Sequence, residues 1–312
     1  MSSGKTRLGL GCWAFGGDYW KEQSHRESVA TLREALQSGL SHFDTAAAYG
    51  NGRSEQLVGQ QLRRDRDSIT IATKGLYHPP EDVEAGIRKS LRRLLTDYID
   101  IYYIHWPKPD IDLRPMVEAL EEVKRRGLIR HIGVSNFSAE QIAPLLEAGE
   151  IDYCQFGYNL IWRVAEKSLV PFCGERGIRM VTYGSLAEGL LAGEERLPSN
   201  LPQEDPRREL LPAETGIIDR TERTLREIFS VAAELGIRPA QIALMWNLSR
   251  QWADTVLFGA RTPKQLRENL HVMDRFHRGG LGAQTERRLE EITSDLSRIF
   301  DEEQNIFGHQ PR

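Results

Sequence analysis

Four residues with side chains that can move a proton stand at or just beyond the ends of apolar runs. Asp44 ends SHFD, Tyr49 comes five residues later in FDTAAAYG, Lys74 follows SITIAT, and His105 follows IDIYYI. A free phenol titrates near ~10, too high for an efficient donor at neutral pH. An adjacent ammonium favours the phenolate and so makes the hydroxyl a better acid. Lys74 can supply that charge, Asp44 can hold Lys74 in an ion pair, and His105 offers a second donor to a substrate oxygen. The set reads as a tuned proton donor, with no nucleophile and no metal triad. Taken alone, an Asp–Lys pair is an ordinary structural ion pair and a single histidine an ordinary core residue. The run ends that follow turn the reading toward chemistry: Ser135 and Asn136 after IRHIGV, Gln155 in DYCQ, Tyr183 in IRMVTY. Polar groups at so many run ends would each cost desolvation energy if merely buried.

The elements that must gather these residues are legible as alternation. Eight candidate strands cover residues 7–11, 41–44, 68–73, 99–104, 129–134, 152–155, 178–183 and 254–259. Helical patterns run between them, near 26–38, 54–63, 115–126, 138–148, 165–176 and 263–272. Val83, Ile87, Leu91 and Leu94, spaced four, four and three, predict one more helix. Eight strands alternating with helices predict an α/β fold, a (β/α)8 TIM barrel, as a single domain over residues 1–312. Function in such barrels collects at the carboxyl ends of the strands, where all the polar run ends fall. Residues 184–220, rich in Gly, Pro, Glu and Arg and without clear periodicity, predict a long loop on that face. Residues 238–250 add a second helix before the eighth strand, and residues 284–298 a further helix toward the C-terminus.

Composition narrows the class. The chain is 40% hydrophobic and 28% charged, with a net charge of −4 spread along its length, which argues against nucleic acid as a partner. No apolar run approaches the ~18 residues of a membrane span. The start, MSSGKTRLGLG, lacks the apolar stretch of a secretory signal. The three cysteines, Cys12, Cys154 and Cys173, are odd in number and form no C-x-x-C pair, so no disulfide framework is expected. The expected location is cytoplasmic. GLGCWA at 9–14 fits the letters of a dinucleotide fingerprint, but the following FGG opens no helix, so the Rossmann context is missing.

Seven motifs stand in order along nearly the whole chain: FDTAAAYG, ATKG, IHWP, GVSNFS, QFGYN at 155–159, YGSLAEGLLAG at 183–193 and LFGARTPKQLREN at 257–269. Together they resemble the aldo-keto reductase superfamily, in its bacterial NADPH-dependent form, with distant similarity to potassium-channel β-subunits. The resemblance implies hydride transfer from NADPH, rather than NADH, to an aldehyde or ketone. The partner would be a small-molecule carbonyl, bound by a monomer or a homo-oligomer, with no metal. It implies Tyr49 as general acid, Lys74 and Asp44 tuning it, and His105 orienting the carbonyl. Ser135, Asn136 and Gln155 would hold the nicotinamide carboxamide, and Tyr183 would stack on the ring. The loop through Gly184, Leu186, Gly189 and Leu190 would follow the pyrophosphate. Gly259, Arg261, Gln265 and Asn269 fall on the segment that contacts the 2′-phosphate, and Glu268 faces the adenine. The residues of that motif agree: Thr262 is a good N-cap, Pro263 suits the first helical position, and a helix start there presents free N–H groups to an anion. Gln265 can instead close a capping box on Thr262.

Two departures from the family pattern fall on the phosphate side. Phe258 stands where many relatives have proline, and Gly184 where many have serine. The N-terminus is short for the hairpin that plugs the barrel bottom in many relatives. Trp13 and Trp106 adjoin the site and are expected to line the substrate pocket. Phe15, Trp20, Tyr77 and Trp162 fit either pocket lining or loop packing, and Cys12 fits a small packing residue better than a reactive thiol. The alternative function is a cofactor-binding sensor or regulatory subunit with little turnover, and turnover rate separates the two.

Overall fold

Most strands form where β-branched and aromatic residues crowd a short run, and the first (LGLG) forms on two buried leucines instead. The strands are β1 (Leu8–Gly11), β2 (His42–Asp44), β3 (Thr70–Gly75), β4 (Ile99–Ile104), β5 (Ile129–Ser135), β6 (Tyr153–Gly157), β7 (Arg179–Tyr183) and β8 (Ala253–Gly259). They pair in parallel in chain order, and β1 returns to β8 to close the barrel. This computed structural model describes residues 7–17, 23–108, 110–203, 205 and 216–302. Trp20, the short N-terminal arm and the middle of the loop expected at 184–220 lie outside the described residues.

Around the barrel lie α1 (His25–Gln37), α2 (Arg53–Leu62), α3 (Val83–Leu94), α4 (Arg114–Arg125), α5 (Ala139–Ile142) and α6 (Leu169–Glu175). The remaining helices are α7 (Ile217–Glu234), α8 (Pro239–Ser249), α9 (Pro263–Leu270), α10 (Val272–His277) and α11 (Ala283–Glu302). The face expected of α3 is the one it buries, with Val83, Ile87, Leu91 and Leu94 all in the core. Full burial of such side chains stabilises by about 1.5–3 kcal/mol each.

Three elements depart from expectation. The helix expected over 138–148 becomes a 3-10 turn from Ala143, because Pro144 lacks the N–H that would continue it. The helix expected over 165–176 opens as a 3-10 turn (Val164–Glu166) before α6 begins. The loop expected over 184–220 is broken into short 3-10 turns at Ala187–Ala192, Glu194–Arg196 and Pro198–Asn200, and its last residues already belong to α7. The periodicity assigns no range to α7, the first of the two helices before β8; it buries Leu225, Ile228, Phe229 and Ala232 on one face.

Most of the core lies between strands and helices, and a smaller cluster of Ala72, Ile101 and Tyr103 fills the barrel's inside. Tyr103 fits only because β5 has a glycine beside it: a Cβ at Gly133 would lie 2.5 Å from its ring. With the interior filled, the polar residues at the strand ends can face only the mouth. No single helix among the described residues is long and apolar enough to cross a membrane.

Candidate functional site

Asp44 and Lys74 end neighbouring strands and are 4% and 1% exposed, so neither charge has water to lean on. Lys74 Nζ donates to Asp44 Oδ1 and to the Thr45 carbonyl at 2.8 Å. Gln155 Nε2, from β6, donates to the other Asp44 oxygen at 2.8 Å. A buried pair is tolerable only when its remaining hydrogen-bonding capacity is met in this way. The turn after Asp44 is fixed as well: Thr45 Oγ1 donates to Ser54 Oγ, and Ser54 Oγ donates to the Cys12 carbonyl, both at 2.8 Å.

The Thr45–Gly52 turn delivers Tyr49 beside this pair. Gly50 has φ 58°, and a Cβ there would lie 2.2 Å from the Gly16 carbonyl oxygen. Only glycine lets the tyrosine turn press onto the 3-10 turn Trp13–Gly16. Lys74 Nζ then lies 5.2 Å from the centroid of the Tyr49 ring. The His105 ring meets Tyr49 edge-on at 5.8 Å between centroids and 77° between planes. Trp13 tilts over Tyr49 at 6.2 Å, and Trp106 stacks on His105 at 5.9 Å.

An amide cluster adjoins this group. Asn136, held at φ 69°, donates from Nδ2 to the His105 carbonyl at 3.0 Å and to Ser135 Oγ at 3.2 Å. Its Oδ1 accepts from the Tyr183 hydroxyl at 2.6 Å. Asparagine tolerates this left-handed backbone better than most residues. The Tyr183 ring is only half-buried, but its hydroxyl sits inside; burial, then Tyr49 and Glu188, push that hydroxyl well above its ordinary pKa. It therefore stays protonated and donates.

A cleft of about 490 Å³ opens over these groups. One side is formed by loops after β1, β2 and β4, with Trp13, Tyr49, His105 and Trp106. The other comes from the segments after β7 and β8 and the start of α8, and carries Glu188, Glu195, Arg196, Arg238, Arg261 and Glu268. At α9, Thr262 Oγ1 caps Gln265 N at 3.2 Å. The Gln265 side chain accepts not from Thr262 but from Arg261 N, at 2.9 Å. Arg261 Nε donates to Gln23 Oε1 at 3.0 Å. Glu268 pairs with Arg238 at 2.6 Å.

Sequence and structure agree on most of this lining. Asp44, Ser135, Asn136, Gln155, Tyr183, Gly184, Leu186, Gly189 and Gly259 face the cleft, as do Gln265 and Asn269. Lys74 stands behind the lining and acts on it only through Asp44 and Tyr49. Leu190 does not reach the cleft: its side chain is fully buried in the core. Phe15 and Trp162 are core residues, Tyr77 packs on the core, and burial pushes the Cys12 thiol up, away from a reactive thiolate. Glu188, Arg196 and Arg238 were not anticipated. The first two lay in a stretch without periodicity, and no local signal turns the residue before Pro239 toward α9.

The fit to an extended nucleotide can be tested on the glycines. A Cβ at Gly184 or at Gly259 would meet nothing within 4 Å, so both strand ends leave open space where side chains would stand. Asn136 Oδ1 and Gln155 Oε1 each accept one hydrogen bond among the described residues, leaving a lone pair for an amide N–H. The residues fit a nicotinamide dinucleotide.

Comparisons with known proteins place the chain in a family. The profile of the Aldo/keto reductase family matches residues 7–277. The chain is 34% identical over 284 residues to aldo-keto reductase YhdN of Bacillus subtilis (strain 168), covering 84% of this chain and 83% of that one. It is 31% identical over 301 residues to an NADH-specific methylglyoxal reductase of Escherichia coli (strain K12), covering 86% and 90%. Among solved structures, an aldo/keto reductase from Klebsiella pneumoniae in complex with NADP and acetate superposes with a TM-score of 0.72 at 27% identity, covering 92% of this chain and 91% of that one.

Proposed function

The chain belongs to the aldo/keto reductase family, and on that premise we propose that it reduces small aldehydes or ketones to alcohols with Tyr49 as the proton donor and NADPH as the reductant. The bound dinucleotide supplies the hydride. The observation that carries the reading is the placement of Tyr49, whose ring lies 5.2 Å from the Lys74 ammonium and edge-on to His105 in one cleft.

The Tyr49 hydroxyl holds the proton that passes to the carbonyl oxygen. Lys74 favours the phenolate left behind, because a positive charge nearby stabilises the charged form. Asp44 and the Thr45 carbonyl hold Lys74 Nζ in place, and Gln155 and the Thr45–Ser54–Cys12 chain keep Asp44 and its turn in place. His105 directs the carbonyl oxygen toward Tyr49. Trp13 and Trp106 wall the substrate side, excluding water and strengthening each electrostatic contact inside. Asn136 and Gln155 hold a carboxamide, with Ser135 beside them, and the half-buried Tyr183 ring offers its face to the nicotinamide.

Preference for NADPH is supported by Arg261 and by the positive dipole end of α9, both suited to a 2′-phosphate. Purified protein should consume NADPH with aldehydes and do so less well with NADH. The Tyr49→Phe variant should lose about 10²–10⁴-fold in kcat while binding the dinucleotide as before. A variant that keeps wild-type turnover sinks the assignment of Tyr49.

A further inference from the structure

Arg238 precedes Pro239 at the start of α8, and its guanidinium reaches across to Glu268 on α9, Nη1 to Oε1 2.6 Å. Both residues line the cleft beside Arg261, Gln265 and Asn269. Their side chains are 54% and 25% exposed, so water reaches the pair. Exposed pairs of this kind add little to stability. The position of this one in the cleft wall is what gives it consequence. Glu268 is anchored on its own side, since its backbone carbonyl accepts from Gln241 Nε2 at 2.8 Å, and Lys264 is 3.9 Å from the same carboxylate. Arg261, beside it in the wall, donates from Nε to the neutral amide oxygen of Gln23.

We propose that Arg238 and Glu268 form an exchangeable ion pair that sets which dinucleotide the cleft accepts, an inference that rests on the reductase reading above. When a 2′-phosphate lies at this wall, Arg238 leaves Glu268 for the phosphate, a doubly charged acceptor that matches the guanidinium fork. When the ribose carries a 2′-hydroxyl, the pair stays closed and Glu268 accepts from that hydroxyl. Arg238 therefore favours the phosphorylated ligand, and Glu268 opposes it by like-charge repulsion. The two partners act with opposite sign. A merely structural bridge cannot do this, because breaking it from either side would change both ligands alike.

The test is calorimetric titration of the full chain with 2′,5′-ADP and 5′-AMP as probes, with quenching of tryptophan fluorescence by NADPH and NADH as a second readout. Arg238→Ala should weaken 2′,5′-ADP about tenfold at low salt and leave 5′-AMP within about twofold, with the difference shrinking as salt is raised. Glu268→Gln, which keeps the side chain's shape, should tighten 2′,5′-ADP roughly threefold and weaken NADH. Thermal melts establish that both variants fold. Equal changes for both probes in Arg238→Ala, or a shift of 2′,5′-ADP in the same direction in both variants, overturns the proposal. Wild-type protein that binds both dinucleotides, with variants that leave the preference unmoved, overturns the role of the pair alone. Wild-type protein that binds neither overturns the reductase reading with it.

Discussion

Replacing Lys74 by methionine removes the ammonium and keeps most of the side chain's apolar stem. At 4% exposure, Asp44 has no water to replace the lost partner. Its carboxylate is left with Gln155 Nε2 at 2.8 Å as its side-chain partner. Breaking a buried pair from one side costs about 3–5 kcal/mol, because the surviving charge stays desolvated. An unfolding entropy of ~2.1 cal/mol/K per residue over 312 residues comes to about 0.65 kcal/mol/K. The cost therefore reads as a fall of about 5–8 °C in Tm. Combining Lys74→Met with Asp44→Asn removes both charges and should recover about half of that loss or more, since replacing a whole buried pair is far cheaper than halving it. Turnover should stay lost in both variants, because neither carries the ammonium. Calorimetric melts and NADPH consumption, run side by side, separate the two effects. A single variant that melts with the wild type, or a double variant no more stable than the single, refutes the view that Lys74 neutralises an otherwise uncompensated carboxylate.

Gly50→Ala should cost stability and turnover together, since its Cβ would lie 2.2 Å from a backbone oxygen at a φ of 58°; urea midpoints and kcat that both match wild type would contradict the tight turn. The buried His42 has its pKa lowered from 6.5 to about 4, chiefly by desolvation, with Asp44 and Lys74 acting in opposite directions. The folded form is then neutral while the unfolded chain takes up a proton below 6.5, so stability falls as pH drops from about 6.5 toward about 4, by up to about 3 kcal/mol. His42→Asn should flatten that part of the pH–stability curve, and an unchanged slope would show that other groups set it.

The parts of the fold written in local pattern were legible in the sequence. All eight strands lie within a few residues of their expected positions, because a buried parallel strand is a short apolar run whatever surrounds it. The strand-end polar residues were legible for the same reason: where an apolar run stops at Asp44, Lys74 or His105, the change of chemistry marks the rim. What lay hidden depends on long-range placement. The α7 helix carries Thr221 and Thr224 on its buried face, which blurs the apolar period. Leu190 lies in a segment where Ala187, Glu188 and Gly189 all have positive φ, at 48°, 52° and 102°. Such a path cannot be read as helix or strand, and it turns that side chain into the core. Arg238 enters the site only because α8 starts beside α9, a contact between elements that no local spacing encodes.

Asp44 and Gln155 are 111 positions apart, and their hydrogen bond ties the first four strands to the last four. On the ribosome, Tyr49, Lys74 and His105 emerge early, the last of them roughly 7–30 seconds ahead of β8 at ~5–20 residues per second. The nascent chain then holds Tyr49, Lys74 and His105 without the Gln155 amide that braces Asp44 and without the start of α9. Gln155 arrives later, and β8, which seals β1, later still. On the proposed reading, a chain cut short before β8 carries Tyr49 but neither the closing strand nor α9, and turnover waits for the last strand.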